Sequence, residues 1–233
     1  MIRLEQVAKV YSLGGVEVRA VDGVTLAIAR GEFVALVGPS GCGKTTLLNL
    51  MAGIDRPTSG EVWLEGARLD RLSDDRLTRL RRTKVGIVFQ FFNLLPTLTA
   101  WENVALPLLL DGVQGGEIED RVRRQLERVG LIHRARHWPH ELSGGEQQRV
   151  AIARATVAEP GVVLADEPTG NLDSAAGSAV LELLQGVNRE HGQTIVLATH
   201  SPDAARRAGR IVGLRDGKIE RIEKACPEPG RRA

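Results

Sequence analysis

The sequence predicts an α/β fold in which a core of buried strands is interrupted by a helical insert. Residues 33–37, Phe-Val-Ala-Leu-Val, form a continuous apolar run, as expected of a central strand covered on both faces. Farther along, Ile118, Val122, Leu126 and Val129 recur at helical spacing among charged residues. Apolar strand runs then return, so the helical stretch divides the core into two parts.

The pattern in the first third of the chain predicts β-strands. Ile2 and Leu4 alternate with polar neighbours, and Val24, Leu26 and Ile28 do the same. This period of two is typical of half-buried antiparallel strands. We therefore predict an antiparallel β-subdomain at the N-terminus.

The buried strand runs directly into a glycine-rich loop, residues 38–45, and then into a helical pattern, residues 46–52, which Gly53 ends. Further strands are predicted at residues 85–89, 162–165, 194–198, 211–214 and 218–222, the last two joined by an Asp-Gly turn.

These elements set the predicted boundaries. One domain spans residues 1–222, with its core in residues 1–90 and 161–222 and a helical insert at about residues 91–160. Residues 223–233 are predicted to be a disordered tail.

Composition excludes several classes of protein. Aromatic residues make up 3% of the chain and the net charge is +2, which argues against a nucleic-acid partner. Cys42 and Cys226 lie outside any zinc-like spacing and indicate a reducing compartment. Charge among the first residues does not match a signal peptide, and no run approaches the ~18 apolar residues of a membrane span. Any membrane role would therefore require a partner.

The glycine-rich loop satisfies the pattern G-x-x-x-x-G-K-[ST] in full. Its glycines let successive N–H groups point into one concavity, and the following helix adds its positive N-terminal dipole. Lys44 is suited to neutralise the β- and γ-phosphates of ATP, and the Thr45 hydroxyl to ligate Mg²⁺. The predicted ATP-binding residues are Gly38, Pro39, Ser40, Gly41, Cys42, Gly43, Lys44, Thr45 and Thr46.

Two adjacent acids end the apolar strand 162–165. Because successive strand side chains face opposite ways, Asp166 and Glu167 are suited to different tasks. We expect Asp166 to hold Mg²⁺ through water, and Glu167 to polarise the water that attacks the γ-phosphate.

A Ser-Gly-Gly-Glu segment precedes the helical run 150–157. Ser143 and Glu146 have the spacing of a capping box, which would start this helix without any ligand. Gly144 and Gly145 are not needed for a cap, and they expose N–H groups that could hold a second anion.

With these motifs, residues 1–222 resemble the nucleotide-binding subunits of ATP-binding cassette (ABC) transporters, whose core is of the P-loop NTPase (RecA-like) class. Residues 142–147 look like the family's signature motif. The resemblance implies a homodimer that forms head to tail on ATP. Ser143, Gly144 and Gly145, with Glu146 beside them, would then contact the γ-phosphate of the ATP held by the second copy.

The resemblance implies further site residues in the family's order. Gln90 resembles the Q-loop glutamine, which senses Mg²⁺ and water and links to the membrane subunit. Asp173 resembles the D-loop aspartate of the dimer interface. His200 resembles the switch histidine, which binds the γ-phosphate and orients Glu167, and Tyr11 resembles the aromatic that stacks on adenine.

Residues 48–60, 89–99 and 102–108 look most like the lipoprotein-releasing and macrolide-exporting branch of the family, from which Ala100 and Trp101 depart slightly. In the family, the weakly charged stretch after the Q-loop glutamine receives the membrane subunit. The resemblance therefore implies a permease partner docked there, which would hold the chain on the cytoplasmic face of the inner membrane.

Three functions fit these residues. The favoured one is the ATPase subunit of a transporter with a separately encoded permease. The second is a soluble ABC ATPase of DNA repair or translation, although such chains usually carry two cassettes or a long coiled-coil insert. The third is an ATP-dependent scaffold of a membrane complex, such as one controlling cell division, and Glu167 and His200 argue against an inactive cassette.

Overall fold

The computed structural model of the chain describes residues 1–224. Residues 225–233, with Cys226 and most of the predicted tail, lie outside the described residues. The described residues form two compact units: the first comprises Met1–Leu77 and residues 194–224, and the second comprises Thr78–Gln193.

The strands in chain order are β1 (Ile2–Leu13), β2 (Val16–Ile28), β3 (Phe33–Val37), β4 (Ser59–Leu64), β5 (Ala67–Arg68), β6 (Val85–Val88), β7 (Val162–Asp166), β8 (Thr194–Thr199), β9 (Arg210–Arg215) and β10 (Lys218–Lys224). The helices are α1 (Lys44–Met51), α2 (Asp74–Lys84), α3 (Ala100–Leu110), α4 (Gly116–Arg128), α5 (Gly144–Thr156), α6 (Ser174–His191) and α7 (Pro202–Arg206). Short 3₁₀ turns cover Leu69–Arg71, Ile132–Arg134 and Pro139–Glu141.

An antiparallel sheet of order β2-β1-β4-β5 lies in the first unit. Along β2, Val24, Leu26 and Ile28 are buried while Thr25 and Ala27 between them are exposed. This alternation confirms the predicted antiparallel β-subdomain and shows why its strands have one apolar face.

The same unit holds the buried strands that carry the glycine-rich loop. β3 pairs in parallel with β8 and with β9, and β10 pairs antiparallel to β9. β8 is buried along its whole length, which matches the continuous apolar pattern of a covered strand. β10 continues to Lys224, two residues into the predicted tail, because Glu223 and Lys224 still pair with β9.

In the second unit, β6 and β7 are parallel neighbours and helices pack around a separate core. That core joins α3, α4 and α5 through residues such as Val104, Val122, Leu126 and Val150. The spacing that predicted α4 is therefore the spacing of its buried face. α2 has Leu77 as its buried residue and is otherwise highly polar, which is why no apolar period marked it in the sequence.

Among residues 1–224, no helix has both the length and the apolar character needed to cross a membrane.

Candidate functional site

The loop 38–45 leaves the end of β3 and opens α1, as the motif predicted. Gly43, the N-cap of α1, has φ 101°, a conformation that favours glycine. A Cβ on Gly43 would lie 2.2 Å from the Ala20 carbonyl oxygen, and one on Gly38 would lie 2.3 Å from that of Leu214. Glycine is thus required at both motif positions by the surrounding backbone.

The N-terminus of α1 is open to an anion. Within the described chain, no side chain caps this helix and no acid lies in its first turn. Its leading N–H groups and its dipole therefore attract negative charge at the loop.

Lys44 lies at that N-terminus and is 7% exposed. Its ammonium donates hydrogen bonds to the carbonyl oxygens of Gly38 (2.8 Å) and Pro39 (3.1 Å). The Thr45 side chain beside it is exposed, and Cys42 is buried beneath the loop. A cation, a helix N-terminus and a hydroxyl therefore converge on one loop, an arrangement suited to phosphate.

His200 lies next to this loop through strand pairing. β3 and β8 are parallel, and Val37 pairs with Thr199. Gly38 and His200 each follow those paired residues, so both lie at the same edge of the sheet, and His200 is exposed.

Tyr11 is held by two residues that the sequence did not predict. The Tyr11 hydroxyl donates to Asp55 Oδ2 at 2.7 Å, and Lys9 Nζ donates to Asp55 Oδ1 at 2.6 Å. The same ammonium lies 4.9 Å from the Tyr11 ring centroid. Burial and the bond to Asp55 raise the pKa of Tyr11; burial alone would raise the pKa of Asp55, but its hydrogen bonds lower it.

The predicted acids and glutamine of the second unit gather where β6 and β7 end. Val88 pairs with Ala165, so Gln90 and Glu167 each lie two residues beyond one paired position. Asp166 is the last residue of β7, and Glu167 has φ 44°, which is uncommon outside glycine.

Asn171 hydrogen-bonds to Gln90 within this group. Its amide donates to the Gln90 carbonyl oxygen at 3.1 Å, and Gln90 Nε2 makes a long 3.5 Å contact with Asn171 Oδ1. Asp173, two residues farther along, caps α6 by accepting the Ala176 N–H at 2.8 Å. The loop before α6 thus carries the predicted D-loop aspartate and, in Asn171, a contact to Gln90 that the sequence did not predict.

The segment before α5 forms the predicted capping box. Ser143 Oγ accepts the Glu146 N–H at 3.3 Å, and the Glu146 carboxylate accepts the Ser143 N–H at 2.8 Å. This N–H bond holds the pKa of Glu146 below its ordinary value. A Cβ on Gly145 would lie 3.0 Å from Ala176 Cβ, whereas one on Gly144 would meet only ordinary contacts at 3.6 Å. Packing thus favours glycine at position 145 and places no such demand on position 144.

The sequence also did not predict three polar residues that shape the backbone around these motifs: Asn103, Gln148 and Arg154. Asn103 and Gln148 are fully buried, and burial lowers the pKa of Arg154. For Gln148, the sequence did contain a usable signal. Ala151, Ile152 and Ala155 share a face of α5 with it and are buried, so a polar residue at position 148 interrupts an apolar helix face.

Two of them hold the segment that follows Gln90. Arg154 donates to the carbonyl oxygens of Phe92 (2.9 Å) and Asn93 (2.6 Å), both of which have positive φ. Asn103 accepts the Leu95 N–H at 2.8 Å. It also donates to the carbonyl oxygens of Leu95, Leu98 and Thr99.

This anchored segment displays apolar side chains. Phe91 is 72% exposed and Leu95 is 43% exposed, whereas Leu94 packs against the helical core. Leu94 therefore contributes to the helical core, and Phe91 does not. A fixed backbone with exposed apolar side chains is typical of a protein-binding surface.

Comparisons with known proteins all point to the ABC transporter family. The sequence pattern of the ABC transporter family matches residues 21–170. An uncharacterised ABC transporter ATP-binding protein of Methanocaldococcus jannaschii, MJ0796, is 48% identical over 230 residues, which cover 96% of this chain and 97% of that protein. The lipoprotein-releasing system ATP-binding protein LolD of Xanthomonas axonopodis pv. citri is 48% identical over 222 residues, covering 95% and 91%.

Solved structures agree with the sequence relatives. A dimeric structure of the ATP-binding cassette MJ0796 in a post-hydrolysis state, bound to ADP and Pi, matches with a TM-score of 0.91 at 46% identity. The match covers 97% of this chain and 99% of that one. CbiO1 of Clostridium perfringens, part of the ABC transporter complex cbiONQ, matches with a TM-score of 0.86 at 32% identity, covering 96% and 88%.

Proposed function

The chain belongs to the ABC transporter family as an ATPase subunit, and from that premise we propose that two copies bind Mg·ATP head to tail and drive a separately encoded membrane permease. The observation that carries the proposal is the phosphate loop: an uncapped helix N-terminus with Lys44 beside it, shaped by glycines that the backbone requires. The dimeric relative MJ0796 was solved with ADP and Pi.

ATP binding uses residues of the first unit. The phosphates take the N–H groups at the start of α1, and Lys44 exchanges its carbonyl partners for β- and γ-phosphate oxygens. The remaining loop residues, Pro39 to Cys42 and Thr46, follow the same phosphates, and Cys42 contributes through its backbone because its side chain is buried. Adenine stacks on Tyr11, whose ring Asp55 and Lys9 hold in place.

Mg²⁺ fits the oxygen donors that these motifs provide. The Thr45 hydroxyl, the Asp166 carboxylate and the Gln90 amide oxygen are hard ligands of the kind this ion prefers. Bound there, Mg²⁺ would neutralise charge on the phosphate oxygens.

Hydrolysis requires a base and a group that orients it. Glu167 accepts a proton from the attacking water, a contribution of roughly 10²- to 10⁴-fold in rate. His200 binds the γ-phosphate and orients Glu167 and the water. Lys44 stabilises the charge that develops during transfer.

A second copy completes each site. Ser143, Gly144, Gly145 and Glu146 of one copy approach the γ-phosphate held by the other, and Asp173 lies at the interface between copies. Gly144 supports this role because packing does not require a glycine there. Two such sites follow from one two-fold axis.

The permease docks on the segment after Gln90. Phe91 and Leu95 offer exposed apolar contacts, and Arg154 and Asn103 keep the backbone beneath them fixed. This contact would place the protein on the cytoplasmic face of the membrane. The relationship to LolD favours lipoprotein release, or the related macrolide and peptide export, as the process served.

The test is Glu167→Gln, which removes the base and keeps the shape of the side chain. We expect the ATPase rate to fall at least ~100-fold while ATP binding persists, because a general base acts on the chemical step. Size exclusion with Mg·ATP should show accumulated dimers.

Glu159→Gln is a matched control. Glu159 precedes β7, is followed by proline and has φ 52°, much as Glu167 does after the same strand. This variant should keep the wild-type rate. Near-normal hydrolysis by Glu167→Gln would contradict the assignment of the base.

A further inference from the structure

The two ends of β7 are built alike. Glu159-Pro160 precedes the strand and Glu167-Pro168 follows it. Glu159 has φ 52° and Glu167 has φ 44°, and a non-glycine residue rarely adopts such values. Strain of this kind persists only where surrounding contacts maintain it.

A buried glutamine contacts the proline at each end. Gln193 Nε2 donates to the Pro160 carbonyl oxygen at 2.7 Å, and Gln148 Nε2 donates to that of Pro168 at 2.8 Å. The exposures of the two glutamines are 8% and 0%. The two contacts therefore have the same chemistry and similar burial.

Gln148 differs because it makes a second contact. The same Nε2 also donates to the Phe89 carbonyl oxygen at 3.3 Å. Phe89 immediately precedes Gln90, and Pro168 immediately follows Glu167. One amide thus joins the backbone beside the glutamine to the backbone beside the base.

A glutamine at position 148 has a cost in folding stability. Its Oε1 is buried with no hydrogen-bond partner among the residues that the structure describes. A buried acceptor without a partner destabilises a fold relative to an apolar side chain of similar shape. The amide has a geometric effect that an apolar side chain would lack: its two N–H groups set the separation of the Phe89 and Pro168 carbonyl oxygens.

We propose that Gln148 is a positioning residue for ATP hydrolysis, holding Gln90 and Glu167 at a fixed separation through Phe89 and Pro168. The inference rests on the proposed roles of Gln90 and Glu167. Gln148 also lies on α5, whose first residues are proposed to meet the ATP of the second copy. The helix that contacts one nucleotide thereby aligns the base that acts on the other.

Gln148→Met and Gln193→Met form the test pair, because methionine keeps the length of the side chain and removes its donors. We expect Gln148→Met to lower kcat at least ~10-fold, since a misplacement of about 1 Å can cost ~100-fold in rate. KM for ATP should stay within about two-fold, because the phosphate loop is unaltered. Gln193→Met should leave both constants within about two-fold of wild type.

A double-mutant cycle separates positioning from general destabilisation. If Gln148 acts through Glu167, adding Gln148→Met to Glu167→Gln should slow single-turnover hydrolysis by less than about two-fold. A purely structural role would reduce the rate by the same factor in both backgrounds, and that outcome would overturn the proposal.

Equal kcat values for Gln148→Met and Gln193→Met would also overturn it. If Gln148→Met does not fold, Gln148→Asn takes its place, because this shorter amide cannot span both carbonyl oxygens and the same fall in kcat is expected. A wild-type protein without ATPase activity would instead contradict the proposed function, so the two failures are distinguishable.

Discussion

Helices α1 and α5 both begin beside glycines, yet their N-termini are completed in opposite ways. In the described chain, α1 starts at Gly43 with no side-chain cap and no acid in its first turn. In α5, the side chains of Ser143 and Glu146 accept each other's backbone N–H groups in a capping box. The first helix end is open to an anion from outside, whereas the second already holds a carboxylate of its own chain.

Helix α3 has the same capping box as α5, although no ligand role is proposed for its N-terminus. Thr99 and Glu102 form the same capping box, with the same distances of 3.3 and 2.8 Å. The Thr99 N–H and hydroxyl hold the pKa of Glu102 below its ordinary value. A capping box therefore carries no information about ligands. What distinguishes α5 is the pair of glycines after Ser143.

The largest effect should come from removing the cation at the open helix end. Lys44→Ala should weaken ATP binding roughly 10- to 100-fold, the value of a charge-assisted hydrogen bond of roughly 1.5–3 kcal/mol. An equilibrium titration with ATP measures this loss of affinity. Lys218→Ala is the control, because Lys218 is exposed and pairs with Asp22 at 3.2 Å. Unchanged affinity in Lys44→Ala would mean that the α1 end is not the phosphate site.

The second effect concerns assembly. Ser143→Arg should keep ATP affinity within about two-fold and abolish the ATP-dependent dimer in size exclusion, because a long cation would occupy the contact between copies. Thr99→Arg makes the same change at the other capping box and should leave the dimer intact. Dimerisation by Ser143→Arg would remove the distinction between α5 and α3.

The smallest effect concerns the caps alone. Ser143→Ala and Thr99→Ala should each lower the free energy of unfolding by about 1 kcal/mol, the usual value of an N-cap side chain. Urea unfolding of both variants measures this. A much smaller loss at Ser143 would show that the box of α5 contributes less to the fold than that of α3.

Local features were predictable from the sequence. The loop 38–45 and the box of Ser143 and Glu146 are contiguous, so spacing alone identifies them. The buried strands β3 and β8 were equally visible, because a strand covered on both faces is a nearly continuous apolar run.

Features that depend on distant parts of the chain were not predictable. Gln148 meets Phe89 across 59 positions, and Tyr11 meets Asp55 across 44. No local pattern encodes which carbonyl a buried amide will reach. The roles of Gln90, Asp173, His200 and Tyr11 came from the family resemblance and remain predictions that mutation can test.

The glycines of the phosphate loop have a consequence for the kinetics of nucleotide binding. The Leu214 and Ala20 carbonyl oxygens leave room only for glycine at positions 38 and 43, and both oxygens belong to strands, β9 and β2. The conformational entropy of the loop is therefore lost when the chain folds, and not when a nucleotide arrives. Association then needs no slow ordering step, and its rate depends on encounter and on the release of Lys44 from two carbonyl oxygens.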